Sequence, residues 1–308
     1  MLLRSNAKSL NYRVTDFTVD SRKFCHQIEN FAKENGTIFN YNQEVRKLDI
    51  KNGKITGVHL ANGTFIPADL GKLENIIFAN KTKMHLSVVI CSAIWTANFA
   101  IKSNIHMLPL RGASMDLLGT NMSDENLVQV RFTNKYHSDL LMSRSGIRLV
   151  WVYNSLFILV KVSDYTSGDL NYQFCPLGKD RIRVTGFADF VGETNPDKDF
   201  MRKVFVDQTK YLFPNLKWAS ETPLWHGFRP MSPDNLPYVG KDCATGNLYI
   251  SCGHGSNGWT TSSGTGKLLS RVIHADFGLE HLTEDEKKIS ALLSPNRFNN
   301  FPFPPQTK

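Results

Sequence analysis

The chain of 308 residues contains no Cys-x-x-Cys pair, and its five cysteines are an odd number scattered from Cys25 to Cys252. A thiolate metal site or a disulfide framework needs cysteines that are paired or clustered at characteristic spacings. The cysteine pattern therefore predicts no metal site. It favours a reducing compartment, cytoplasmic or mitochondrial, without identifying which.

Long runs of one charge and long apolar runs are also missing. Lys and Arg outnumber Asp and Glu by 36 to 28, for a formal net charge of +8, yet no five like charges are consecutive. Nucleic-acid-binding domains usually concentrate positive charge in one patch, so scattered basic residues predict a solvated surface and no nucleic-acid partner. The most apolar stretch, residues 149–162, is interrupted by Asn154 and Ser155. It is too short for a transmembrane helix, which needs about 20 apolar residues.

Local patterns near the start of the chain predict a helix followed by hairpins. Asp20 or Ser21 can cap a helix that Asn35-Gly36 would end, and its apolar residues share one face. Short alternating runs follow, separated by Asn52-Gly53 and Asn62-Gly63. Since Asn-Gly is the strongest two-residue hairpin signal, these runs predict an antiparallel meander.

Four further elements are predicted from the remaining patterns. Residues 87–91 are short, apolar and β-branched, which predicts a fully buried strand. Asn195-Pro196-Asp197 has the composition of a helix start, with proline near the first position. Residues 258–273 predict another helix, which follows a strand at 248–251.

A glycine-rich segment joins that strand to that helix. It reads Gly253-His254-Gly255-Ser256-Asn257-Gly258-Trp259-Thr260. Glycine lets a backbone approach a ligand closely, and the first turn of a helix presents N–H groups that attract an anion or an electron-rich carbonyl. The pattern is typical of a phosphate or flavin site, and it is also typical of an ordinary tight turn.

A second segment, residues 227–240, places Arg229 between Phe228 and Pro230 and is stiffened by three prolines. An arginine in a rigid, apolar setting can bind a carboxylate through two parallel hydrogen bonds. The spacing alone favours, at least as strongly, a structural arginine that binds backbone carbonyl groups.

Together the two segments resemble the C-terminal signature of D-amino-acid dehydrogenases, which belong to a wider family with D-amino-acid oxidase, glycine oxidase and sarcosine oxidase. The resemblance rests on Gly-Phe-Arg-Pro-Met-Ser-Pro-Asp-Asn-Leu-Pro-Tyr-Val-Gly at 227–240 and Asn-Leu-Tyr-Ile-Ser-Cys-Gly-His-Gly-Ser-Asn-Gly-Trp-Thr at 247–260. Weaker similarity extends over most of the chain, at 20–24, 42–45, 87–95, 109–112 and 174–186.

The resemblance implies an FAD-dependent oxidoreductase that oxidises the C–N bond of a small amino acid. A D-amino acid would transfer hydride to the flavin and leave as an imino acid, which hydrolyses to a keto acid; the electron acceptor is not specified. By this resemblance Arg229 binds the substrate carboxylate, Val45 meets the adenine through its backbone, and the backbone of 253–260 holds the flavin pyrimidine edge. Such chemistry requires no catalytic base, so His254 is expected to bond to backbone and Trp259 to pack.

The implied fold is mixed α/β, or α+β, in two parts. An incomplete Rossmann-like FAD-binding domain would comprise residues 12–110 and 225–278, and a substrate domain with a mostly antiparallel sheet would comprise 111–224. Residues 295–308, rich in proline and phenylalanine, are predicted to form an unstructured tail.

Two departures from the family pattern bear on function. The first residues carry no Gly-x-Gly-x-x-Gly unit, which the family uses to bind the cofactor diphosphate, and the chain is expected to begin where that unit ends. Ala93 stands where relatives have glycine, which would crowd a cofactor. Two functions stay open: a flavin oxidoreductase, and a catalytically inactive fragment that serves in binding or regulation.

Overall fold

The computed structural model describes residues 20–68, 87–99, 104–121, 130–131, 150–152, 156–158, 173–177, 180–191 and 194–300. The α-helices in these ranges are α1 (Ser21–Glu34), α2 (Lys198–Leu212), α3 (Gly258–Asp276) and α4 (Glu284–Leu292). Short 3-10 helices lie at Ala93–Asn98 and Gly255–Asn257. The strands are β1 (Val45–Lys51), β2 (Lys54–Leu60), β3 (Phe65–Pro67), β4 (Val88–Ile90), β5 (Leu108–Leu118), β6 (Val130–Arg131), β7 (Val150–Val152), β8 (Leu156–Ile158), β9 (Gln173–Pro176), β10 (Arg181–Asp189), β11 (Ser220–Glu221), β12 (Trp225–Met231), β13 (Tyr238–Lys241) and β14 (Leu248–Cys252). This mixture of helices and sheets confirms the predicted fold class.

The chain divides into two compact units. One consists of residues 1–39 and 110–228, and the other of residues 40–109 and 229–308. The domains predicted from the sequence differ in placing residues 12–39 with the cofactor domain. The assignment of one part to the cofactor and the other to the substrate stays a prediction.

The first unit is built on an antiparallel sheet with the strand order β11-β5-β10-β9-β6, and β12 also pairs with β5. Side chains that alternate along β5 and β10, Met115, Leu117 and Val184, are fully buried and share a cluster with Phe205 of α2. The mostly antiparallel sheet is therefore confirmed. Asp197 caps α2 by accepting a hydrogen bond from the Phe200 amide at 2.9 Å.

Helix α1 begins at its predicted cap. Asp20 accepts hydrogen bonds from the amides of Arg22 and Lys23, and its carboxylate also pairs with Arg181 of β10 at 2.6 Å. No residue of α1 is buried, and Phe31 is 67% exposed. The apolar face was therefore read correctly as a pattern, but it is not part of a core in the described residues.

The second unit contains two three-stranded sheets, β1-β2-β3 and β13-β14-β4. Asn52 and Gly53 join β1 to β2 with φ angles of 51° and 71°, as a type I′ turn requires, so this hairpin is confirmed. The predicted strand at 87–91 is present as β4, which pairs in parallel with β14. Its full burial was wrong, because β4 ends the strand order and Val89 is 42% exposed.

Strand β14 is the centre of this unit. Its first three residues are completely buried. Leu248 packs with the hairpin residues Leu48 and Ile55, while Ile250 packs in a second cluster with Tyr238. Helix α3 covers the sheet through Leu268 and Leu269.

Residues 295–300 form turns and contradict the prediction of an unstructured tail; residues 301–308 lie outside the described residues. Phe298 is buried in the cluster around Tyr238, and Arg297 forms an ion pair with Asp234 at 2.8 Å. Composition suggested disorder, but these long-range contacts stabilise the ordered conformation.

The described ranges hold no helix that is both long and apolar enough to cross a bilayer. Nor do they bring together three His, Cys, Asp or Glu side chains in a group suited to a metal ion. All five cysteines are free thiols, and burial raises the pKa of Cys252, the last residue of β14, to about 12.

Candidate functional site

The glycine-rich segment lies where the sequence predicts it, between β14 and α3. Gly253 leaves the strand, residues 255–257 form a single 3-10 turn, and α3 begins at Gly258. We refer to residues 253–258 as the ring loop. Its structure is the strand–turn–helix arrangement that can present backbone N–H groups to a ligand.

Two glycines of the ring loop are required by its geometry. Gly253 and Gly255 have φ angles of 73° and 55°, in the left-handed region that side chains disfavour. A Cβ atom on Gly253 would lie 2.8 Å from the ring of Tyr238, and one on Gly255 would lie 3.1 Å from Met231 Sδ. The ring loop is thus packed closely against β12 and β13 on one side.

The start of α3 is open on the other side. Asn257 occupies the N-cap position, but its side chain makes no capping hydrogen bond. Ser256, Asn257, Trp259 and Thr260 are exposed. A helix start with an uncapped first turn carries partial positive charge, so it favours an anionic or electron-rich group.

His254 holds the ring loop to α3. Its Nε2 atom lies 3.1 Å from Thr265 Oγ1, and that hydroxyl lies 2.9 Å from the Thr261 carbonyl oxygen, to which it donates. The imidazole must then donate from Nε2, and burial lowers its pKa below the usual value. The sequence predicted a backbone partner, whereas the observed partner is a side-chain hydroxyl. A neutral, anchored histidine suits a structural role.

The strand of Arg229 meets the ring loop directly. Met231, the last residue of β12, forms an isolated antiparallel bridge with His254. The two chains run in opposite directions at this bridge. Arg229, two residues before Met231, therefore lies toward Ser256, two residues after His254. Side chains two residues apart on a strand share a face, so Arg229 is on the face from which Met231 contacts Gly255. Arg229 is half-buried.

Val45 lies apart from this junction, at the start of β1, where it pairs with Leu60. The hairpin that carries it is joined to β14 through Leu48 and Ile55. The structure places Val45 in the same unit as the ring loop, and its contact with an adenine stays a prediction.

Sequence reasoning missed three residues around the ring loop. Asn235, whose φ is 60°, has its Oδ1 atom 3.2 Å from the position of a Cβ on Gly255. Tyr238 is fully buried against Gly253 and donates a hydrogen bond to the His106 carbonyl oxygen at 3.0 Å. Arg297 stacks on the Tyr238 ring at 4.0 Å. Only Asn235 had a local signal, because asparagine between Asp and Leu in a proline-rich turn is typical of a left-handed residue.

Comparison with known proteins decides the family. The sequence profile of the DAO family, described as FAD dependent oxidoreductase, matches residues 11–272. The chain belongs to this family of FAD-dependent oxidoreductases.

Curated members of the family include similar proteins named D-amino acid dehydrogenase. That of Vibrio vulnificus is 26% identical over 264 residues, which cover 85% of this chain and 50% of the relative. That of Allorhizobium ampelinum is 28% identical over 260 residues, covering 84% of this chain and 48% of the relative. The chain spans about half the length of these curated relatives.

Two solved structures show a similar fold. L-proline dehydrogenase from P. horikoshii has a TM-score of 0.56 at 18% identity, over 92% of this chain and 60% of that protein. Glycine oxidase from Geobacillus kaustophilus has a TM-score of 0.53 at 17% identity, over 86% of this chain and 55% of that protein. At these identities the likeness supports the fold class alone.

The ring loop fits the cofactor that gives the family its name. The N1–C2=O edge of a reduced flavin carries negative charge, which is the charge that an uncapped helix start stabilises. The residues at the start of α3 are exposed, so the helix start is accessible to such an edge. The glycines at 253 and 255 place no side chain in the turn.

Ala93 is the family position at which the structure shows strain. It has a φ angle of 50°, in the region where glycine is favoured, and it begins the 3-10 helix Ala93–Asn98, with Cys91 and Ser92 between that helix and β4. An alanine therefore holds a backbone conformation that glycine adopts without strain. A left-handed conformation costs a non-glycine residue about 1–2 kcal/mol.

Ala93→Gly is therefore expected to raise the free energy of unfolding by roughly 1 kcal/mol, because relief of strain exceeds the added entropy of the unfolded chain. The matched control is Ala97→Gly in the same 3-10 helix. Ala97 packs on the Tyr238 cluster and does not have positive φ, so its replacement should lower stability. Urea titration of the three proteins measures both effects. A loss of stability in Ala93→Gly would contradict the inference that the backbone at Ala93 is strained.

Proposed function

We propose that this chain provides the flavin-ring and substrate-carboxylate site of an enzyme that oxidises the C–N bond of a small D-amino acid. The observation that carries the proposal is the bridge between Met231 and His254, which brings the strand of Arg229 to the ring loop. The names of the curated relatives support the substrate class.

The chain's own residues would bind and orient the substrate. Arg229 would hold the carboxylate through two parallel hydrogen bonds, which fixes the direction of the Cα–H bond. The uncapped start of α3 would stabilise negative charge on the flavin pyrimidine edge. FAD, when bound, supplies the hydride acceptor.

When the substrate amine is neutral, hydride transfer needs no proton acceptor on the protein. His254 is committed to Thr265, and burial lowers its pKa, which favours the neutral imidazole. We therefore assign it to holding the ring loop, and we assign the orientation of the substrate to Arg229.

The second candidate is a catalytically inactive fragment that binds without turnover. The observation that favours it is the left-handed φ of 50° at Ala93, where the family resemblance implies glycine. Such a protein would keep the ring loop and lose productive placement of the cofactor.

Titration of the purified full chain with FAD tests the proposal and separates the two candidates. We expect saturable binding, followed under anaerobic conditions by bleaching of the visible flavin band when a small D-amino acid is added. The L-enantiomer of the same amino acid is the control and should leave the band unchanged. Binding without bleaching by any amino acid, or no binding of FAD at all, would overturn the enzyme and support the inactive candidate.

A further inference from the structure

Arg297, outside every motif that the sequence identifies, uses its whole guanidinium group in hydrogen bonds. Nε and Nη2 donate to the Asp234 carboxylate at 2.8 and 2.9 Å, and Nη2 also donates to the Leu236 carbonyl oxygen at 2.7 Å. Nη1 donates to the carbonyl oxygens of Ser294 at 3.1 Å and Pro237 at 3.3 Å. A guanidinium has five N–H groups in a fixed plane, and this arrangement gives each nitrogen a partner.

The group also contacts two aromatic rings, which meet edge to face with their centres 6.0 Å apart. Its central carbon lies 4.0 Å from the centre of the Tyr238 ring and 4.8 Å from that of Phe298. The Arg297 side chain is only 11% exposed. Burial raises the pKa of Asp234, but the hydrogen bonds from Arg297 outweigh it and leave that pKa below its usual value. An ion pair that is fully hydrogen-bonded in this way is rigid.

What Arg297 fixes is the turn between β12 and β13. This turn, residues 232–237, follows Met231 directly and contains Asp234 and Asn235. Asp234 accepts a hydrogen bond from the Leu236 amide at 3.1 Å while it pairs with Arg297, so the turn is tied both internally and to the end of the chain.

Two routes lead from Arg297 to the ring loop. Through Asp234 it holds the turn, in which Asn235 Oδ1 lies 3.2 Å from the position of a Cβ on Gly255. The residue just before the turn, Met231, also lies against Gly255. Through the stacked Tyr238 ring it reaches Gly253, where a Cβ atom would be only 2.8 Å away. The two left-handed glycines of the ring loop are therefore both braced by side chains that Arg297 contacts or orders.

We infer that Arg297 is a positioning residue, which acts through Asp234 and Tyr238 to fix the ring loop against the strand that carries Arg229. Its effect on flavin and carboxylate binding rests on the proposed function, whereas its effect on the ring loop does not. Lysine cannot replace it, because an ammonium group has neither the planar fork for Asp234 nor the flat face for Tyr238.

Hydrogen exchange of the full chain, without added ligand, tests the inference. In Arg297→Lys we expect the amides of the ring loop to exchange about tenfold faster, because the charge-assisted bonds that oppose local opening are lost. The control is Arg271→Lys. Arg271 also donates to a carboxylate, that of Glu280 at 3.0 Å, and to the His281 carbonyl oxygen at 2.9 Å, but it links α3 to the segment before α4. Its replacement should leave exchange in the ring loop unchanged.

Asp234→Asn provides a second, milder variant that keeps the shape of the side chain and removes its charge. It should accelerate exchange in the ring loop by less than Arg297→Lys does. If exchange rises uniformly over residues 229–300 in both arginine variants, or stays unchanged in the ring loop of Arg297→Lys, the positioning role is refuted.

Titration with FAD then separates this inference from the proposed function. If the unaltered chain binds FAD, Arg297→Lys should weaken binding about tenfold and Arg271→Lys should leave it unchanged. Absence of binding by the unaltered chain would remove the proposed function, and the exchange data would still decide whether Arg297 positions the ring loop.

Discussion

Arg229→Met is expected to weaken the binding of a small amino acid about a hundredfold, because a two-bond guanidinium–carboxylate contact is lost and the carboxylate enters the site unpaired. Arg229→Lys should lose less, since the ammonium group keeps the charge without the fork. The measurements are the KM for oxidation of a small D-amino acid and the affinity for its keto acid, read from the flavin spectrum.

The contrast with an amine that lacks the carboxylate makes this prediction specific. Binding of that amine should be nearly the same in Arg229→Met and the unaltered protein, because the lost contact never existed for it. Arg46→Met is the matched control in the same unit, as Arg46 is exposed and pairs with Glu44 at 3.1 Å. Equal losses for acid and amine would show instead that Arg229 is a structural arginine, the alternative that its spacing left open.

The helix and hairpin boundaries that the sequence predicted correctly depend on short-range chemistry. Asp20 and Asp197 cap their helices through amides two or three residues away. Asn52 and Gly53 form their turn because both tolerate positive φ. Both partners of each such interaction lie within a few residues of each other, so these boundaries depend little on tertiary contacts.

Predictions of burial failed where they depended on distant neighbours. Alternation and helical periodicity identify an apolar face, but they do not say whether another element covers it. The apolar face of α1 is exposed, and β4 is an edge strand with Val89 exposed. Burial is a property of the assembled unit, which no window of sequence contains.

Two features of the C-terminal part were not predicted, and only one of them has a signature in the sequence. Helix α4 begins with a capping box in which Thr283 and Glu286 bond to each other's backbone amides. Its Thr-x-x-Glu spacing is a sequence signature that could have predicted the helix. The pairing of Arg297 with Asp234 could not have been read in this way, because the partners are 63 residues apart.

For the site, the sequence located the ring loop and Arg229 but not the geometry that joins them. That geometry is the bridge of Met231 to His254, whose register depends on the length and twist of the turn at 232–237. Composition of the turn indicates stiffness, and the fixed direction comes from Arg297. The roles come from the resemblance and stay predictions, and the structure shows that the strand of Arg229 bridges to the ring loop.

Asn247→Ala is expected to lower the free energy of unfolding by about 3 kcal/mol, because it leaves two buried backbone groups without partners. Asn247 Oδ1 accepts from the Ile55 amide at 2.9 Å, and its Nδ2 donates to the Ile55 carbonyl oxygen at 3.0 Å. Ile55 is 1% exposed, so water cannot replace either bond. This amide links the hairpin of β1 and β2 to the start of β14, beside the hydrogen bond that the Gly246 amide donates to the Gly53 carbonyl oxygen at 2.9 Å. Urea titration gives the total loss, and exchange of the Ile55 amide gives the local one.

Asn62→Ala is the matched control in the same hairpin region. Asn62 accepts a hydrogen bond from the Thr64 amide at 3.0 Å in an exposed turn, so its loss should cost less than about 1 kcal/mol. Equal losses in the free energy of unfolding would mean that the buried pair of hydrogen bonds stabilises the unit no more than the exposed one does.

Asn247→Asp adds a test whose sign depends on pH. At neutral pH the introduced carboxylate would still accept from the Ile55 amide, but it would repel the Ile55 carbonyl oxygen and be buried with a charge. Protonation restores a donor, so the folded state should hold the proton more tightly than the unfolded state, and the pKa of the introduced group should be raised on folding. A raised pKa makes stability fall as pH rises. Asn247→Asp should therefore approach the stability of the unaltered protein in acid and lose it toward neutral pH, whereas Asn247→Ala should show a constant deficit. A constant deficit in both variants would mean that the Ile55 carbonyl group does not need the donor that the structure gives it.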